Sequence, residues 1–185
     1  MKRLLIVVDY QNDFVDGALG FPGAERLEEP IAAKIEEYRE SGDLVAFTLD
    51  THKRDYLATQ EGRNLPIEHC IAGTPGHKLY GRVADLMADN DKVFCKPAFG
   101  SSELFMWLSA AQRAAAEVGG QPFTSIELVG LVSNICVVSN AILAKTACPE
   151  VPVIVDAACT ASNDPRMNEA ALDVLQSVQV QVTNR

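Results

Sequence analysis

The sequence predicts an α/β fold, namely a doubly wound (Rossmann-like) parallel sheet of about six strands with helices on both faces. Short apolar runs alternate with longer segments of helical periodicity along the 185 residues, as in parallel sheets whose strands are joined by helical crossovers. The first run, Leu4–Val8, is continuously apolar, which is typical of a strand buried on both faces. Because no repeat or linker interrupts the pattern, we expect one domain spanning residues 1–185.

Six segments fit strands by their apolar, β-branched composition. They are Leu4–Val8, Leu44–Leu49, Val93–Lys96, Ile126–Gly130, Val151–Val155 and Val178–Val182.

The segments between these strands carry helix signals. Glu28–Glu40 is amphipathic and is followed by Ser41-Gly42, whereas Asp164-Pro165 supplies an N-cap and a first-turn proline for a helix reaching about Ser177. The other expected helices are Leu79–Ala88, Glu103–Val118 and a helix with Cys136 in its first turn. Residues 51–78 form a long connection without clear periodicity, and loops of that length in compact domains are usually functional or disordered.

Composition excludes several classes of partner. The net charge of −9 argues against nucleic acid and against an anionic membrane surface. No apolar run is long enough to cross a bilayer, and Asp9 interrupts the N-terminal run too early for a signal peptide. Five cysteines, an odd number without framework spacing, indicate reduced thiols in a cytoplasmic protein.

Cys136 is the candidate nucleophile. It follows a predicted strand and a short turn and would open a buried helix. The free N–H groups and the dipole at a helix N-terminus lower a thiol pKa and favour the thiolate. The alternative is a buried core cysteine, because free cysteine is among the most buried residue types.

Two charged residues at the ends of other strands, Asp9 and Lys96, would complete a site with Cys136. Carboxyl ends of neighbouring parallel strands form the ligand-binding edge of such sheets. The ammonium would activate the thiol and the carboxylate would shuttle its proton, while backbone N–H groups of the turn at 132–136 could bind an oxyanion. An ordinary ion pair between Asp9 and Lys96 is the alternative.

The long connection holds a candidate metal site. Asp50 and His52 lie on one side of an extended chain, and Glu61 and His69 follow in the same connection. Two imidazoles with one or two carboxylates suit Zn²⁺, Fe²⁺ or Mn²⁺. The alternative is that these histidines occur together in a surface loop by chance. Among the candidate ligands, Glu61 is the less certain one, and His77 fits the set poorly.

Several motifs together resemble the nicotinamidase/pyrazinamidase family of isochorismatase-like cysteine hydrolases. They are D-Y-Q-N-D-F at 9–14, G-A-L-G-F-P-G-A at 17–24, D-x-H at 50–52, H-C-I-A-G-T-P-G at 69–76, Lys96, and G-L-V-S-N-I-C-V at 130–137. The resemblance covers nearly the whole chain in the same order.

The resemblance implies roles for individual residues. The catalytic triad would be Asp9, Lys96 and Cys136, with the amides of Val132 and Cys136 as oxyanion hole and a cis peptide bond at Leu131–Val132. The metal ligands would be Asp50, His52 and His69, joined in some members by a glutamate placed like Glu61. Many nicotinamidases have a tryptophan where this chain has Leu65. The ring-binding slot would therefore consist of Phe14, Leu19, Leu65 and Phe99.

The implied activity is conversion of nicotinamide, and also of pyrazinamide, to the acid and ammonia through a cysteine thioester. The implied cofactor is one divalent ion, zinc before iron or manganese, and the expected assembly is a homo-oligomer. Two alternatives stay open: a related hydrolase acting on another small amide or ureido compound, which usually lacks the D-x-H…H set, and a catalytically silent binder of the same fold.

Overall fold

The computed structural model describes residues 1–185 and contains one six-stranded, wholly parallel sheet. The strands are β1 (Leu4–Val8), β2 (Leu44–Asp50), β3 (Lys92–Lys96), β4 (Ile126–Leu131), β5 (Val153–Ala161) and β6 (Gln181–Thr183). Their order across the sheet is β3-β2-β1-β4-β5-β6. The chain therefore winds outward from β1 in both directions, and the predicted fold class is confirmed.

Seven helices accompany the sheet, and none is both long and apolar enough to cross a membrane. They are α1 (Asn12–Val15), α2 (Glu28–Glu40), α3 (Gln60–Asn64), α4 (Gly81–Asp85), α5 (Ser102–Glu117), α6 (Val138–Ala147) and α7 (Pro165–Ser177).

The alternation of side chains along β1 divides the core into two clusters, one on each face of the sheet. Leu4, Ile6 and Val8 belong to the cluster that includes residues of α5, α6 and α7. Leu5 and Val7 belong to the cluster that includes residues of α2 and α4. Burial of β1 on both faces explains why its sequence is apolar without interruption.

Three predicted elements differ from the structure by three residues or more at one end. The helix predicted at Leu79–Ala88 is shorter in the structure, where α4 spans Gly81–Asp85. It starts later because Leu79 is extended and pairs with Gln11 in an isolated bridge. The fifth strand begins at Val153 and runs to Ala161 beside β4, six residues beyond its predicted end. The last strand is only Gln181–Thr183, because Val178 still caps α7.

Gly130 permits the close approach of β4 to β1. Its φ is +110°, and a Cβ there would collide with the carbonyl oxygen of Val8. The pairing of β4 with β5 also shifts register between Leu128 and Gly130. This irregularity lies just before the turn that carries Cys136, so Gly130 helps to set where the thiol stands relative to β1.

We expect Gly130→Ala to lower the free energy of unfolding by at least about 2 kcal/mol, since it adds a backbone collision to an unfavourable φ. Urea denaturation measures this. Gly42→Ala is the matched control, because Gly42 also has a positive φ (70°) but has no atom within 4 Å of its would-be Cβ. Equal losses in the two variants would show that the contact with Val8 is unimportant.

Candidate active site

Four neighbouring strands bring the candidate residues to one edge of the sheet. Asp9 follows β1, Asp50 and Lys96 are the last residues of β2 and β3, and Cys136 lies in the turn after β4. Asp50 and Lys96 are direct partners in the β2–β3 register. The carboxyl ends of these strands therefore meet where open α/β sheets bind ligands.

Asp9, Lys96 and Cys136 form one buried cluster. The Lys96 Nζ lies 2.6 Å from Asp9 Oδ2 and 3.4 Å from Cys136 Sγ. The other Asp9 oxygen accepts a 2.6 Å hydrogen bond from Thr48 Oγ1. The relative exposures are 0% for Asp9, 1% for Lys96 and 4% for Cys136, so the charges interact with little screening by water.

The backbone at the acid and at the thiol departs from regular structure. Asp9 has a φ of 45°, and the Leu131–Val132 peptide bond is cis, as the resemblance implied. Cys136 lies in a π-helical turn, Ser133–Val137, and α6 begins only at Val138. The predicted helix with Cys136 in its first turn is therefore present, but π-type hydrogen bonding replaces α-helical hydrogen bonding in that turn.

The structure also corrects the expected direction of the thiol pKa. Burial raises the pKa of Cys136 well above its usual range, and the neighbouring Asp9 carboxylate raises it further, whereas the Lys96 ammonium lowers it. Burial likewise raises the pKa of Asp9 against the opposing effect of Lys96. The cluster therefore holds a group that opposes the thiolate, the Asp9 carboxylate, and a group that favours it, the Lys96 ammonium.

Replacing Lys96 by methionine should raise the pKa of Cys136 further, because it removes the charge that favours the thiolate. We expect the pH profile of thiol alkylation to shift upward by about one unit or more. Lys92→Met is the control, since Lys92 is an exposed residue at the other end of the same strand. If the pH profile of alkylation is unchanged in Lys96→Met, Lys96 does not favour the Cys136 thiolate.

The candidate metal ligands also converge. One ligand atom each from Asp50, His52 and His69 lies within 4.8 Å of the others. Asp50 Oδ2 is 2.9 Å from His52 Nε2 and 3.3 Å from His69 Nε2. Glu61 Oε1 lies 3.8 Å and 3.9 Å from the same two nitrogens, so it stands beside the cluster as a fourth donor and the second oxygen.

Local hydrogen bonding explains how the long connection brings these ligands together. His52 N–H donates to the carbonyl of Cys70, and Ala72 N–H donates to the carbonyl of His52. This short parallel bridge lays His69 beside His52. Tyr56 packs against both imidazoles, with ring centroids 4.6 Å and 5.0 Å away.

The chemistry of this donor set fits a divalent ion. The buried Nε2 of His52 has no hydrogen-bond partner. His69 Nδ1 donates to the carbonyl oxygen of Ile67 at 2.8 Å, which leaves a lone pair on its Nε2 pointing into the cluster. His77 is outside the set, because its Nε2 bonds to Thr51 Oγ1 at 2.8 Å.

Asp50 belongs to both groups of residues. Its Oδ1 lies 3.4 Å from Lys96 Nζ, whereas its Oδ2 faces the two histidines. Burial would raise the pKa of Asp50, but the close contacts with the His52 and His69 side chains and the charge of Lys96 outweigh it and lower that pKa. Asp50 is therefore a carboxylate, available as a ligand and as a counter-charge.

A cavity of about 200 Å³ lies beside both groups. The four residues expected to form the ring-binding slot, Phe14, Leu19, Leu65 and Phe99, all line it, together with Cys136. The remaining lining residues are Phe21, Asp50, Glu61, His69, Val132, Ile135 and Asn163. A small, mainly apolar cavity of this kind suits a planar ring carrying one reactive group.

Sequence reasoning missed two buried amides that hold the site. The Gln11 side chain pairs with the backbone N–H and carbonyl of Asp50 at 2.8 and 2.9 Å. Asn140 Nδ2 donates to the carbonyls of Cys136 (2.8 Å) and Phe99 (3.1 Å), and Asn140 Oδ1 accepts from Ser101 N–H. The only signal for Asn140 was a polar residue on the otherwise apolar face of a helix.

The fold and the site define an α/β enzyme that combines a thiol with a carboxylate, an ammonium and a mixed imidazole–carboxylate cluster. The isochorismatase domain family matches residues 3–185. The chain belongs to this family of hydrolases.

Three matches show which known proteins the chain is similar to. A Bacillus subtilis (strain 168) protein, described as the uncharacterized isochorismatase family protein PncA, is 32% identical over 77% of this chain and 78% of its own. The crystal structure of nicotinamidase/pyrazinamidase PncA from Bacillus subtilis superimposes with a TM-score of 0.81 and 30% identity, covering 98% and 99% of the chains. N-carbamoylsarcosine amidase from Thermoplasma acidophilum has a TM-score of 0.75 and 26% identity over 98% and 95%.

Proposed function

We propose that this hydrolase is a metal-containing cysteine amidohydrolase that converts nicotinamide to nicotinate and ammonia and also accepts pyrazinamide. One observation carries the proposal: the Asp9–Lys96–Cys136 cluster and the Asp50–His52–His69 cluster border the same small apolar cavity. The first cluster suits cleavage of an amide, and the second suits recognition of a ring nitrogen. The nicotinamidases among the relatives support the same substrate class.

The first half-reaction is acylation of the thiol. Asp9 accepts the proton of Cys136 as the sulfur attacks the carboxamide carbon, and the carbonyl oxygen becomes an oxyanion. The backbone N–H groups of Val132 and Cys136, at the cavity wall, would stabilise that charge. The C–N bond then breaks, and Asp9 returns the proton to the leaving nitrogen, which departs as ammonia and leaves a thioester on Cys136.

The second half-reaction is hydrolysis of the thioester. Asp9, again a carboxylate beside the Lys96 ammonium, takes a proton from water as the water attacks the acyl carbon. The C–S bond breaks, and the sulfur regains its proton as nicotinate is released. Because Asp9 accepts one proton in each half-reaction and gives it up again before the next, one carboxyl group can serve both steps.

The metal cluster would orient the substrate. Asp50, His52 and His69, with Glu61 beside them, would hold one divalent ion, zinc before iron or manganese. When bound, the ion would supply a Lewis-acidic anchor for the pyridine nitrogen. Phe14, Leu65 and Phe99 would sandwich the ring and exclude water from the carboxamide.

A second candidate is hydrolysis of a small carbamoyl or ureido compound, which the similarity to N-carbamoylsarcosine amidase supports. Such compounds need the thiol cluster but lack a ring nitrogen. The apolar lining of the cavity and its four-residue donor set favour the aromatic amide.

Ammonia release decides between these candidates when it is measured with nicotinamide, pyrazinamide, benzamide and N-carbamoylsarcosine. We expect turnover of the first two substrates, with benzamide poor because it has no ring nitrogen. Hydroxylamine added during turnover should divert part of the product to the hydroxamate, as a thioester requires. Preference for the carbamoyl compound, or absence of hydroxamate, would contradict the proposal.

A further inference from the structure

One polar side chain that lines the cavity has no part in the proposed reaction. Of the five polar lining residues, Asp50, His69 and Glu61 belong to the metal cluster and Cys136 is the nucleophile. The fifth is Asn163, in the connection between β5 and α7. All other lining residues are apolar, so Asn163 is the only neutral amide that a bound ring would meet.

The hydrogen-bonding capacity of Asn163 is nearly unused within the protein. Its Nδ2 donates no hydrogen bond to the protein, and its Oδ1 receives only a 3.4 Å contact from Ser162 Oγ. Asn163 is exposed, so its free donor is open to solvent and can exchange water for an acceptor on a ligand without losing a protein contact.

The backbone around Asn163 is well anchored. Asp164 caps α7 by accepting from Arg166 N–H at 2.8 Å and Met167 N–H at 3.3 Å, and Pro165 occupies the first helical position. Asp164 N–H also donates to Ser162 Oγ at 3.2 Å. Asn163 therefore projects from a fixed loop, which lowers the entropy lost when its side chain binds a ligand.

In the strand order, β1 and β4 lie between the strand that precedes Asn163 and the strand that carries Asp50. The candidate ligands lie on β2 and in the connection after it, Asp9 follows β1, Cys136 follows β4, and Asn163 follows β5. A ring whose nitrogen faces Asp50 and His69 and whose carboxamide faces Cys136 therefore presents its remote edge toward Asn163.

We propose that Asn163 is a specificity-determining residue that donates a hydrogen bond from Nδ2 to an acceptor on the ring edge remote from the metal cluster. This inference rests on the proposed function and explains how the site would accept pyrazinamide, because Asn163 would add one contact to aromatic carboxamides that carry a second ring acceptor. In nicotinamide the atom opposite the ring nitrogen is a C–H carbon. In pyrazinamide the same position is a second nitrogen, which accepts a hydrogen bond.

The test compares both amides with wild type, Asn163→Ala and Asn163→Asp. We expect Asn163→Ala to lower kcat/KM for pyrazinamide by about threefold to tenfold, the value of one hydrogen bond, and kcat/KM for nicotinamide by less than about twofold. Asn163→Asp should be worse for pyrazinamide, since the carboxylate has no donor and repels the nitrogen lone pair. Asn90→Ala is the control, because Asn90 is an exposed asparagine that does not line the cavity.

Binding without turnover gives an independent readout. In the Cys136→Ala background, the Kd for pyrazinamide should rise by the same factor on Asn163→Ala, while the Kd for nicotinamide stays within about twofold. Equal changes for both amides, or no change in either, would overturn the role of Asn163 while the proposed function stands. If the wild-type protein hydrolyses neither amide, both the proposed function and this inference are overturned.

Discussion

Cys136→Ala is expected to lose at least about a thousandfold in kcat while its fold stays intact. No other thiol can form the thioester, because the remaining cysteines do not line the cavity. The side chain is nearly fully buried, but alanine removes a single sulfur, so the core loses little volume. Ammonia release measures the activity, and circular dichroism and urea denaturation measure the fold.

Cys95→Ala is the matched control for that variant. Cys95 is the exposed cysteine, on edge strand β3 and directly before Lys96. It should keep activity within about twofold of wild type, as surface substitutions usually do. Substantial turnover by Cys136→Ala, or loss of turnover in Cys95→Ala alone, would contradict the assignment of the nucleophile.

His52→Ala should separate ring binding from bond cleavage. The purified wild-type protein should carry about one equivalent of a divalent ion per chain, and the variant should bind that ion at least about tenfold more weakly. KM for nicotinamide should rise more than kcat falls, because His52 does not contact Cys136. Metal analysis and steady-state kinetics supply the two measurements.

His77→Ala is the control, because His77 lies in the same connection but bonds to Thr51 instead of joining the cluster. It should retain the ion and the wild-type KM. Benzamide, which lacks the ring nitrogen, should be a poor substrate that responds little to chelation. If His52→Ala keeps its ion, or if chelated protein cleaves nicotinamide at the full rate, the metal assignment fails.

Local sequence patterns were sufficient to predict most of the helices and strands. The bounds of β1 and α2 match the prediction, because continuous burial and a clear amphipathic pattern with a terminating Ser-Gly are strong signals. The helix predicted at 79–88 was too long, since tertiary pairing of Leu79 with Gln11 overrides its local preference. Pairing between distant segments leaves no periodic trace in the sequence.

The site shows the same limit. Residue types and strand ends were enough to bring Asp9, Lys96 and Cys136 together in the prediction. They were not enough to predict the direction in which the pKa of Cys136 shifts, because that shift depends on the depth of burial and on the closeness of Asp9. Gln11 and Asn140 could not be found from spacing, since their importance comes from hydrogen bonds between segments that are distant in the sequence. The expected homo-oligomer and cytoplasmic location stay predictions.

The two-sided contacts of Asp50 constrain how this site could change during evolution. A descendant that no longer needed a metal could lose His52 and His69 and keep its thiol chemistry. It could not lose Asp50 as freely, because Lys96 would then have only Asp9 as a buried carboxylate partner. Asp50 is therefore expected to persist longer than the histidines it faces, and its presence alone in a family member is a poor marker of metal dependence.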